Sequence, residues 1–463
     1  MKRAVSLVLI IAFAMFGFCG IVFAEDEVSL LEEITPECWT GGLLPDAECV
    51  KEISDIVPMR TRGTQKPLKE HIEEQLLSHP EDEKIDLIGY GCVYNSDFMK
   101  MFNNIIMSNY RIMAITGIKE YGGWQVDDNF VLAYVKPRYM FDTLEEDIEK
   151  REFMEEQIRT QYLAKVSNIP ATDVLGKMLV IHDLFCKNNA YAHEELAEFD
   201  RLEKLNELKM SDYIIYTAYG LFKNNRAVCQ GNSIALKGIY DALNEQLKQE
   251  LGTDEDIIKT AFCSSNRKAH IWNVVKIGDK WYHLDETWND NSQYEEYALH
   301  KYFLVSDDKM SDHIDGVCDW EYYSLYVECN DKKYENGYFF SDLAETVSSV
   351  SYESGMYSIY TSLSEQPFRA YTVKSTELLI TDPFVEDGVT RIRYFAREDV
   401  TFCIIIAKYN AGGQLTKFSK LSPQEFQGNK FYNLALRGFP SECRLFHWSQ
   451  EGMTPLCRAT EIE

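Results

Sequence analysis

The chain of 463 residues is short of basic side chains: 47 Lys and Arg stand against 74 Asp and Glu, and the formal net charge is −27. A surface this acidic repels phosphate backbones, so we expect no nucleic-acid partner.

Motifs for metal ions are lacking as well. No CxxC pair or Cys/His group has the spacing of a zinc site. The acidic segment 285–290 lacks the glycine and the ligand spacing of a calcium loop. We therefore predict no metal site and no cofactor.

The N-terminus carries a targeting signal. Lys2 and Arg3 precede an uncharged apolar stretch from Ala4 to Ala24, and the acidic Glu25 follows. This pattern predicts a signal peptide over 1–24, cleaved after Ala24. If it stays uncleaved, the stretch is nearly long enough to anchor the protein in a bilayer. Both alternatives place the rest of the protein outside the cytoplasm, secreted or at the cell surface.

The cysteine count is consistent with one thiol kept free. Of the 12 cysteines, one lies in the signal segment, and 12 − 1 leaves an odd number in the mature chain. The sequence does not determine whether disulfide bonds join any of the others, for which the candidates are Cys38, Cys49, Cys318, Cys329, Cys403, Cys443 and Cys457.

Cys229 is predicted to open a helix. A polar loop precedes it, and Ile234, Ile239 and Leu243 recur after it at helical spacing. A thiol at a helix N-terminus faces unpaired N–H groups and the positive end of the helix dipole, which both favour the thiolate. The same N–H groups could receive an oxyanion.

A hairpin is predicted to carry a histidine and an aspartate on one face. Apolar runs at 269–277 and 280–287 flank the turn residues Gly278 and Asp279. Residue 277 then pairs with 280, which makes His270 and Asp285 diagonal neighbours, about 7–8 Å apart. That is within reach of a side-chain hydrogen bond.

These positions define the candidate catalytic residues Cys229, His270 and Asp285. The backbone N–H of Cys229 is a candidate oxyanion donor, and Gln230 and Trp272 are weaker candidates beside it. A single buried cysteine or a single histidine on a strand is more often a packing residue. The order Cys, His, Asp and the shared strand face favour the catalytic interpretation.

The three segments resemble the transglutaminase-like superfamily, especially secreted members from anaerobic Gram-positive bacteria. The motifs are Val-Cys-Gln-Gly at 228–231, His-Ile-Trp-Asn at 270–273 and Trp-Tyr-His-Leu-Asp at 281–285, followed by Thr-Trp-Asn-Asp at 287–290. Ile-His-Asp at 181–183 and the 302–307 segment with His313 also fit. The resemblance covers about 140–315 and implies a papain-like plan, in which a helical lobe carries the nucleophile and a sheet carries the base. Asn232, Ala269 and Ile271 depart from the family pattern, and Asn232 and Ile271 could reshape the cleft.

The fold class expected is α+β: a papain-like transglutaminase core with an N-terminal α/β region and a C-terminal all-β, sandwich-like module. The last segment resembles a β-sandwich module of similar secreted proteins. The domains expected are a signal peptide at 1–24, an acidic lead-in at 25–66, a small α/β domain at 67–142, the catalytic core at 143–315, a β-rich connecting region at 316–384 and the C-terminal module at 385–463.

Local patterns predict further elements. Helices are expected at 68–78, at 97–109 and within Glu145–Lys165. Strands are expected at 84–89, 129–138, 322–329, 337–340, 355–362, 369–373, 390–395 and 401–409.

Two classes of function follow. The first is a secreted thiol enzyme that forms a thioester at Cys229. It passes the acyl group to an amine, as an acyltransferase, or to water, as a peptidase or amidase. The sequence does not decide between these acceptors. The partners expected are protein or peptide substrates, including substrates at a cell surface or cell wall. The alternative is a non-catalytic surface or interaction protein that uses the core as a scaffold.

Overall fold

The computed structural model describes residues 48–51, 66–126, 128–265, 269–290, 298–313, 320–322, 328–343, 346–410, 412–436, 443–450, 454–457 and 459–462. The predicted signal peptide and most of the acidic lead-in lie outside the described residues.

Among the described residues, the helices lie between residues 68 and 342. They are α1 (Leu68–Ser78), α2 (Ser96–Ser108), α3 (Leu144–Gln157), α4 (Ala164–Val166), α5 (Val174–Asn188), α6 (His193–Lys204), α7 (Ala218–Asn224), α8 (Cys229–Leu251), α9 (Glu286–Asn289) and α10 (Phe339–Asp342). A π-helical turn, Ile158–Leu163, follows α3, and short 3-10 turns cover Met210–Tyr216, Asp307–Lys309 and Ser311–His313.

In the part of the chain that the structure describes, strands occur from residue 48 to residue 462 and dominate the C-terminal third. They are β1 (Glu48–Lys51), β2 (Ile85–Asp86), β3 (Ala114–Val126), β4 (Asn129–Tyr139), β5 (Ala190–Tyr191), β6 (Arg226–Ala227), β7 (Ile258–Ser265), β8 (His270–Ile277), β9 (Lys280–Leu284), β10 (Phe303–Val305), β11 (Trp320–Tyr322), β12 (Val347–Glu353), β13 (Met356–Thr361), β14 (Ser364–Ala370), β15 (Leu378–Thr381), β16 (Phe384–Glu386), β17 (Val389–Ala396), β18 (Val400–Tyr409), β19 (Leu415–Lys420), β20 (Gln424–Phe426), β21 (Lys430–Leu436), β22 (Cys443–Ser449) and β23 (Thr460–Ile462). Mixed helix and sheet of this kind is compatible with the α+β class.

Several local predictions are confirmed, and others are wrong in part or in whole. The helix at 68–78 and the strands at 129–138 and 401–409 occur within a residue of the expected limits. The strand predicted at 369–373 ends at Ala370, and the strand predicted at 84–89 covers only Ile85–Asp86. Most of the strand predicted at 322–329 lies outside the described residues. The predicted strand at 337–340 is wrong, because α10 begins at Phe339. The Ser341 hydroxyl donates to the carbonyl of Tyr338, which favours a helical turn over an extended chain.

The N-terminal sheet has the strand order β1-β3-β4-β2. Helices α1 and α2 contribute to one hydrophobic core with its strands; members include Ile72, Phe102 and Val135. No strand is predicted at β3, because glycines interrupt its run of strand-forming residues. At Gly123 a Cβ atom would lie 1.9 Å from the carbonyl oxygen of Val131, so this close strand approach requires glycine.

The chain divides into two compact units. The first comprises Met1–Leu163, Asn188–Thr287 and Ser306–Asp331, and the second Ala164–Lys187, Trp288–Val305 and Lys332–Glu463. The predicted core at 143–315 contributes to both. The domain limits expected from the sequence stay predictions.

Within the first unit, the hairpin β8–β9 has the predicted register. Ile277 pairs with Lys280, and the ladder runs to Asn273 opposite Leu284. Strand β7 pairs with the other edge of β8 and with β11. The predicted strand 280–287 is too long, because β9 ends at Leu284 and α9 begins at Glu286.

Within the second unit, two antiparallel sheets share one hydrophobic core. One has the order β12-β13-β14-β15-β17-β16, with β21 on β17, and the other has the order β19-β18-β22-β23, with β20 on β18. Ile380 and Ile392 of the first sheet and Ile404 and Leu445 of the second belong to that core. The first sheet contains strands from both sides of the predicted 384/385 boundary.

In the described part of the chain, no disulfide bond joins the candidates Cys329, Cys403, Cys443 and Cys457. The other candidates lie where side chains are not described. Among the described residues no helix has both the length and the apolar run needed to cross a membrane.

We predict that Ile404→Ala destabilises the two-sheet core. Ile404 is fully buried, so truncation removes apolar contacts and leaves a cavity, at a cost of about 2–5 kcal/mol in the free energy of unfolding. Leu415→Ala is the control, since Leu415 is 55% exposed. Urea unfolding of both variants checks this, and an equal loss in both would contradict the assigned core.

Candidate active site

Cys229 is the first residue of α8, as predicted. The preceding residue, Val228, is extended (φ −85°, ψ 174°) and provides no side-chain cap for the helix. The first N–H groups of the helix are therefore left to other partners. The hydroxyl of Tyr191 is hydrogen-bonded to the backbone of Cys229. Strand β5 places it there, because Tyr191 pairs with Ala227.

Glycine at position 231 lets the helix begin in this place. A Cβ atom there would lie 2.8 Å from the carbonyl oxygen of Ile215 and 2.8 Å from the Cβ of Ala227. The Ile215 carbonyl also accepts from the N–H of Val228 at 3.0 Å. The first turn of α8 is thus packed directly against the preceding backbone, which sets the position of Cys229.

Hydrogen bonds join α8 to β8. The Ser233 hydroxyl donates to the carbonyl of Ile271 at 3.2 Å, and the amide of Asn273 donates to the carbonyl of Ser233 at 3.1 Å. Asn232, which departs from the family pattern, donates to the Thr287 hydroxyl at 3.3 Å. These bonds hold the first turns of the helix against the strand that carries His270.

The structure brings His270 and Asp285 together. His270 Nε2 lies 2.7 Å from Asp285 Oδ2, and the two residues are 6% and 1% exposed. The other partner of the His270 side chain is Cys229, through a side-chain hydrogen bond. The three candidate catalytic residues therefore form one connected set, in the order thiol, imidazole, carboxylate.

The pKa values of this set favour a charged imidazole. Burial lowers the pKa of His270, but the charge and hydrogen bond of Asp285, with those of Cys229, outweigh burial and raise it to about 10. Burial raises the pKa of Asp285, but the charge of His270 and hydrogen bonds from His270 and His313 hold it well below its usual range. Asp285 is thus a buried anion beside an imidazolium.

Asp285 has a second histidine partner, His313, which fits the family resemblance but which no local pattern in the sequence places beside Asp285. His313 Nε2 also lies 2.7 Å from Asp285 Oδ2, and its Nδ1 lies 3.1 Å from Asp312 Oδ1. His313 is fully buried and belongs to a 3-10 turn. A single carboxylate oxygen therefore serves two imidazoles.

Of the two weaker oxyanion candidates, Trp272 already has an acceptor for its N–H, whereas Gln230 stays open. The indole N–H of Trp272 donates to His283 Nδ1 at 2.9 Å, and His283 Nε2 lies 2.9 Å from Asp307 Oδ1. Trp272 instead stacks on the His270 ring, with centroids 5.6 Å apart. Gln230 is 4% exposed, and its Oε1 has no partner among the described residues.

The described residues include three groups whose donor atoms lie within 4.8 Å of one another, as metal ligands do. They are His270, Asp285 and His313; His283, Asp307 and Cys329; and His182, Asp183 and His300. In the last group, Asp183 Oδ1 lies 2.9 Å from His182 Nδ1 and 2.8 Å from His300 Nε2. In each group a hydrogen bond already joins an imidazole nitrogen to a carboxylate oxygen, so we assign no metal to these groups. The absence of a metal and cofactor stays a prediction.

Comparisons with known proteins give little beyond this geometry. No protein-family model matches the chain, and no curated protein matches it. Among solved structures, a crystal structure of a TGase is similar over 38% of this chain and 46% of its own chain, with 12% identity and a TM-score of 0.23. The match spans less than half of that protein and is too weak for an argument, so the proposal below rests on the side chains.

We predict that Gly231→Ala displaces the start of α8. The added Cβ meets backbone and a short side chain that cannot rotate away, so Cys229 must move relative to His270. A misplacement of about 1 Å can cost on the order of 100-fold in rate. Alkylation of Cys229 by iodoacetamide should slow, whereas the exposed Gln249→Ala on the same helix should leave it unchanged. Equal rates in both variants would contradict the packing argument.

Proposed function

We propose that the protein is a thiol enzyme of the transglutaminase-like kind, which acts on amide bonds of protein or peptide substrates through a thioester at Cys229. One observation carries the proposal: the Cys229 side chain, at a helix start without a side-chain cap, is hydrogen-bonded to His270, which in turn contacts the buried Asp285 at 2.7 Å. A thiol with a positioned base and an orienting carboxylate is the arrangement that acyl transfer needs.

The first half-reaction starts with Cys229 as the thiolate and His270 as the imidazolium that holds the proton. The Cys229 sulfur attacks the carbonyl carbon of the amide and forms a tetrahedral intermediate with a negative oxygen. His270 gives its proton to the leaving nitrogen, the C–N bond breaks, and an amine departs. The acyl group remains on sulfur as a thioester, and Asp285 keeps the His270 ring in orientation throughout.

The second half-reaction regenerates the Cys229 thiolate and the His270 imidazolium. His270 takes a proton from an incoming amine or water, whose nitrogen or oxygen attacks the thioester carbon. The C–S bond breaks and sulfur leaves as the thiolate. An amine acceptor gives a new amide, as in an acyltransferase, and water gives hydrolysis, as in a peptidase or amidase. Both outcomes use the same thioester.

For the negative oxygen, we favour the N–H of Cys229 at the helix start. The N–H of Cys229 donates to the Tyr191 hydroxyl, so the oxyanion would have to take that hydrogen bond over. Burial, with the charge of Cys229, raises the pKa of Tyr191, so this hydroxyl stays protonated and is a second donor for the oxyanion. Gln230 stays a candidate. We leave Trp272 out, since its N–H donates to His283.

We place this activity outside the cytoplasm, on secreted or surface proteins, because of the predicted signal peptide at 1–24. Membrane contact is part of the proposal only if that segment is uncleaved. The alternative of a non-catalytic surface protein predicts no special reactivity at Cys229, so the following experiment separates the two.

The full chain should incorporate a tagged amine into a glutamine-containing protein, or cleave that protein, in a reaction that Cys229→Ala abolishes. The reason is that no thioester can form without the thiol. Mass spectrometry of the mixture distinguishes incorporation from fragments. Cys92→Ala is the matched control, because Cys92 is buried and its thiol pKa is raised to about 11.

Activity that persists in Cys229→Ala would exclude the thioester mechanism. No turnover, together with alkylation of Cys229 no faster than that of a simple thiol at pH 7, would support the non-catalytic alternative. If Cys92→Ala loses activity and Cys229→Ala does not, our assignment of the nucleophile to Cys229 is wrong.

The charged His270 also predicts a dependence of stability on pH. Its pKa is raised from 6.5 to about 10, so its stabilising contribution is fully present below about pH 6.5 and is lost as pH rises through about 10. The loss in unfolding free energy caused by His270→Gln should therefore shrink between pH 6.5 and pH 10. Urea unfolding at several pH values checks this, with the exposed His193→Gln as control. A difference that stays constant would contradict the ion pair.

A further inference from the structure

His313 is held in contact with the candidate catalytic set by bonds at both ring nitrogens. Nε2 lies 2.7 Å from Asp285 Oδ2, and Nδ1 lies 3.1 Å from Asp312 Oδ1. The N–H of His313 donates to the carbonyl of Met310 at 2.9 Å, which closes the turn around it. The ring is fully buried, so these contacts leave it one orientation.

The rings around His313 belong to the same set. It lies edge-on to Trp272 with centroids 4.9 Å apart, and tilted to His270 at 5.7 Å. Burial lowers the pKa of His283, and His313 lowers it further, so His283 also lies near the His313 ring. Among the described residues, the titratable groups near His313 therefore include Asp285, Asp312, His270 and His283.

The shared oxygen has a chemical consequence. A hydrogen bond donated by His313 stabilises the negative charge on Asp285 Oδ2, and less of that charge is left to hold the proton on His270. The same bond fixes the carboxylate against rotation. His270 must release its proton to the leaving amine, so a base held too strongly protonated would serve poorly.

We propose that His313 is a positioning residue of the site: it holds the Asp285 carboxylate in the orientation that meets His270, and by sharing Oδ2 it keeps His270 able to give up its proton. The proposal rests on the proposed thioester function. The active set then has four members: Cys229, His270, Asp285 and His313. Asp312 is the outer partner of His313, and its side chain is 41% exposed.

His313→Phe tests both parts of the role in the full chain. The phenyl ring fills the space of the imidazole but donates no hydrogen bond to Asp285. The Asp285 carboxylate can then rotate, and its negative charge is no longer shared between His313 and His270. We expect the turnover number of amine incorporation or hydrolysis to fall by on the order of 100-fold. The upper inflection in the pH profile of Cys229 alkylation, which reports the loss of the His270 proton, should rise by about one unit.

His313→Gln is the conservative variant, because its amide nitrogen can replace Nε2 as the donor to Asp285. It should recover turnover to within about tenfold of the original chain. His79→Asn is the matched control: it removes another buried imidazole, which lies 2.8 Å from Asp147 in the same unit. It should lower thermal stability without moving the alkylation profile.

An unchanged alkylation profile and turnover in a folded His313→Phe chain would overturn the proposal, as would a His313→Gln chain no more active than His313→Phe. If His313→Phe does not fold, His313→Gln decides alone: the proposal then requires it to retain the original inflection and turnover within tenfold. Since alkylation needs no substrate, absence of turnover in the original chain would refute the proposed function while leaving this test intact.

Discussion

The buried charge of Asp285 is the constraint on which the rest of the site depends. A carboxylate that is 1% exposed is costly unless it is paired and hydrogen-bonded. Here two imidazoles meet its Oδ2 at 2.7 Å, one on the strand β8 and one on the turn Ser311–His313. One oxygen atom therefore contacts both the strand and the turn. The same contact with Asp285 stabilises the positive charge on His270.

The second requirement is that the thiol meets this charged imidazole, and backbone packing supplies it. Gly231 permits a first helical turn in contact with the Ile215 carbonyl, and Ser233 and Asn273 bond the helix to β8. A helix start and a hairpin are common elements, but their direct bonding brings Cys229 and His270 together. The reactivity that we propose is thus a property of the helix–strand contact.

Much of the site could be predicted from local pattern, and the remainder depends on distant contacts. The two-residue turn at 278–279 sets the register of the hairpin, so the approach of His270 and Asp285 follows from counting residues. The end of β9 was missed, because apolar spacing over 285–289 suits a strand or a short helix equally. His313 lies 28 residues after Asp285 and enters through a turn, and no periodicity indicates such a contact. In the same way, only the packed hairpin reveals that the N–H of Trp272 is already bonded.

The thioester at Cys229 is the central claim, and trapping it is the most direct test. The full chain would be mixed with a glutamine-containing acyl donor in the absence of an amine, quenched in acid within milliseconds to seconds, and digested for mass spectrometry. The account predicts the donor's acyl mass on the peptide that contains Cys229, removable by hydroxylamine. An acyl group on another cysteine, or turnover of the donor without any acyl-enzyme at Cys229, would contradict it.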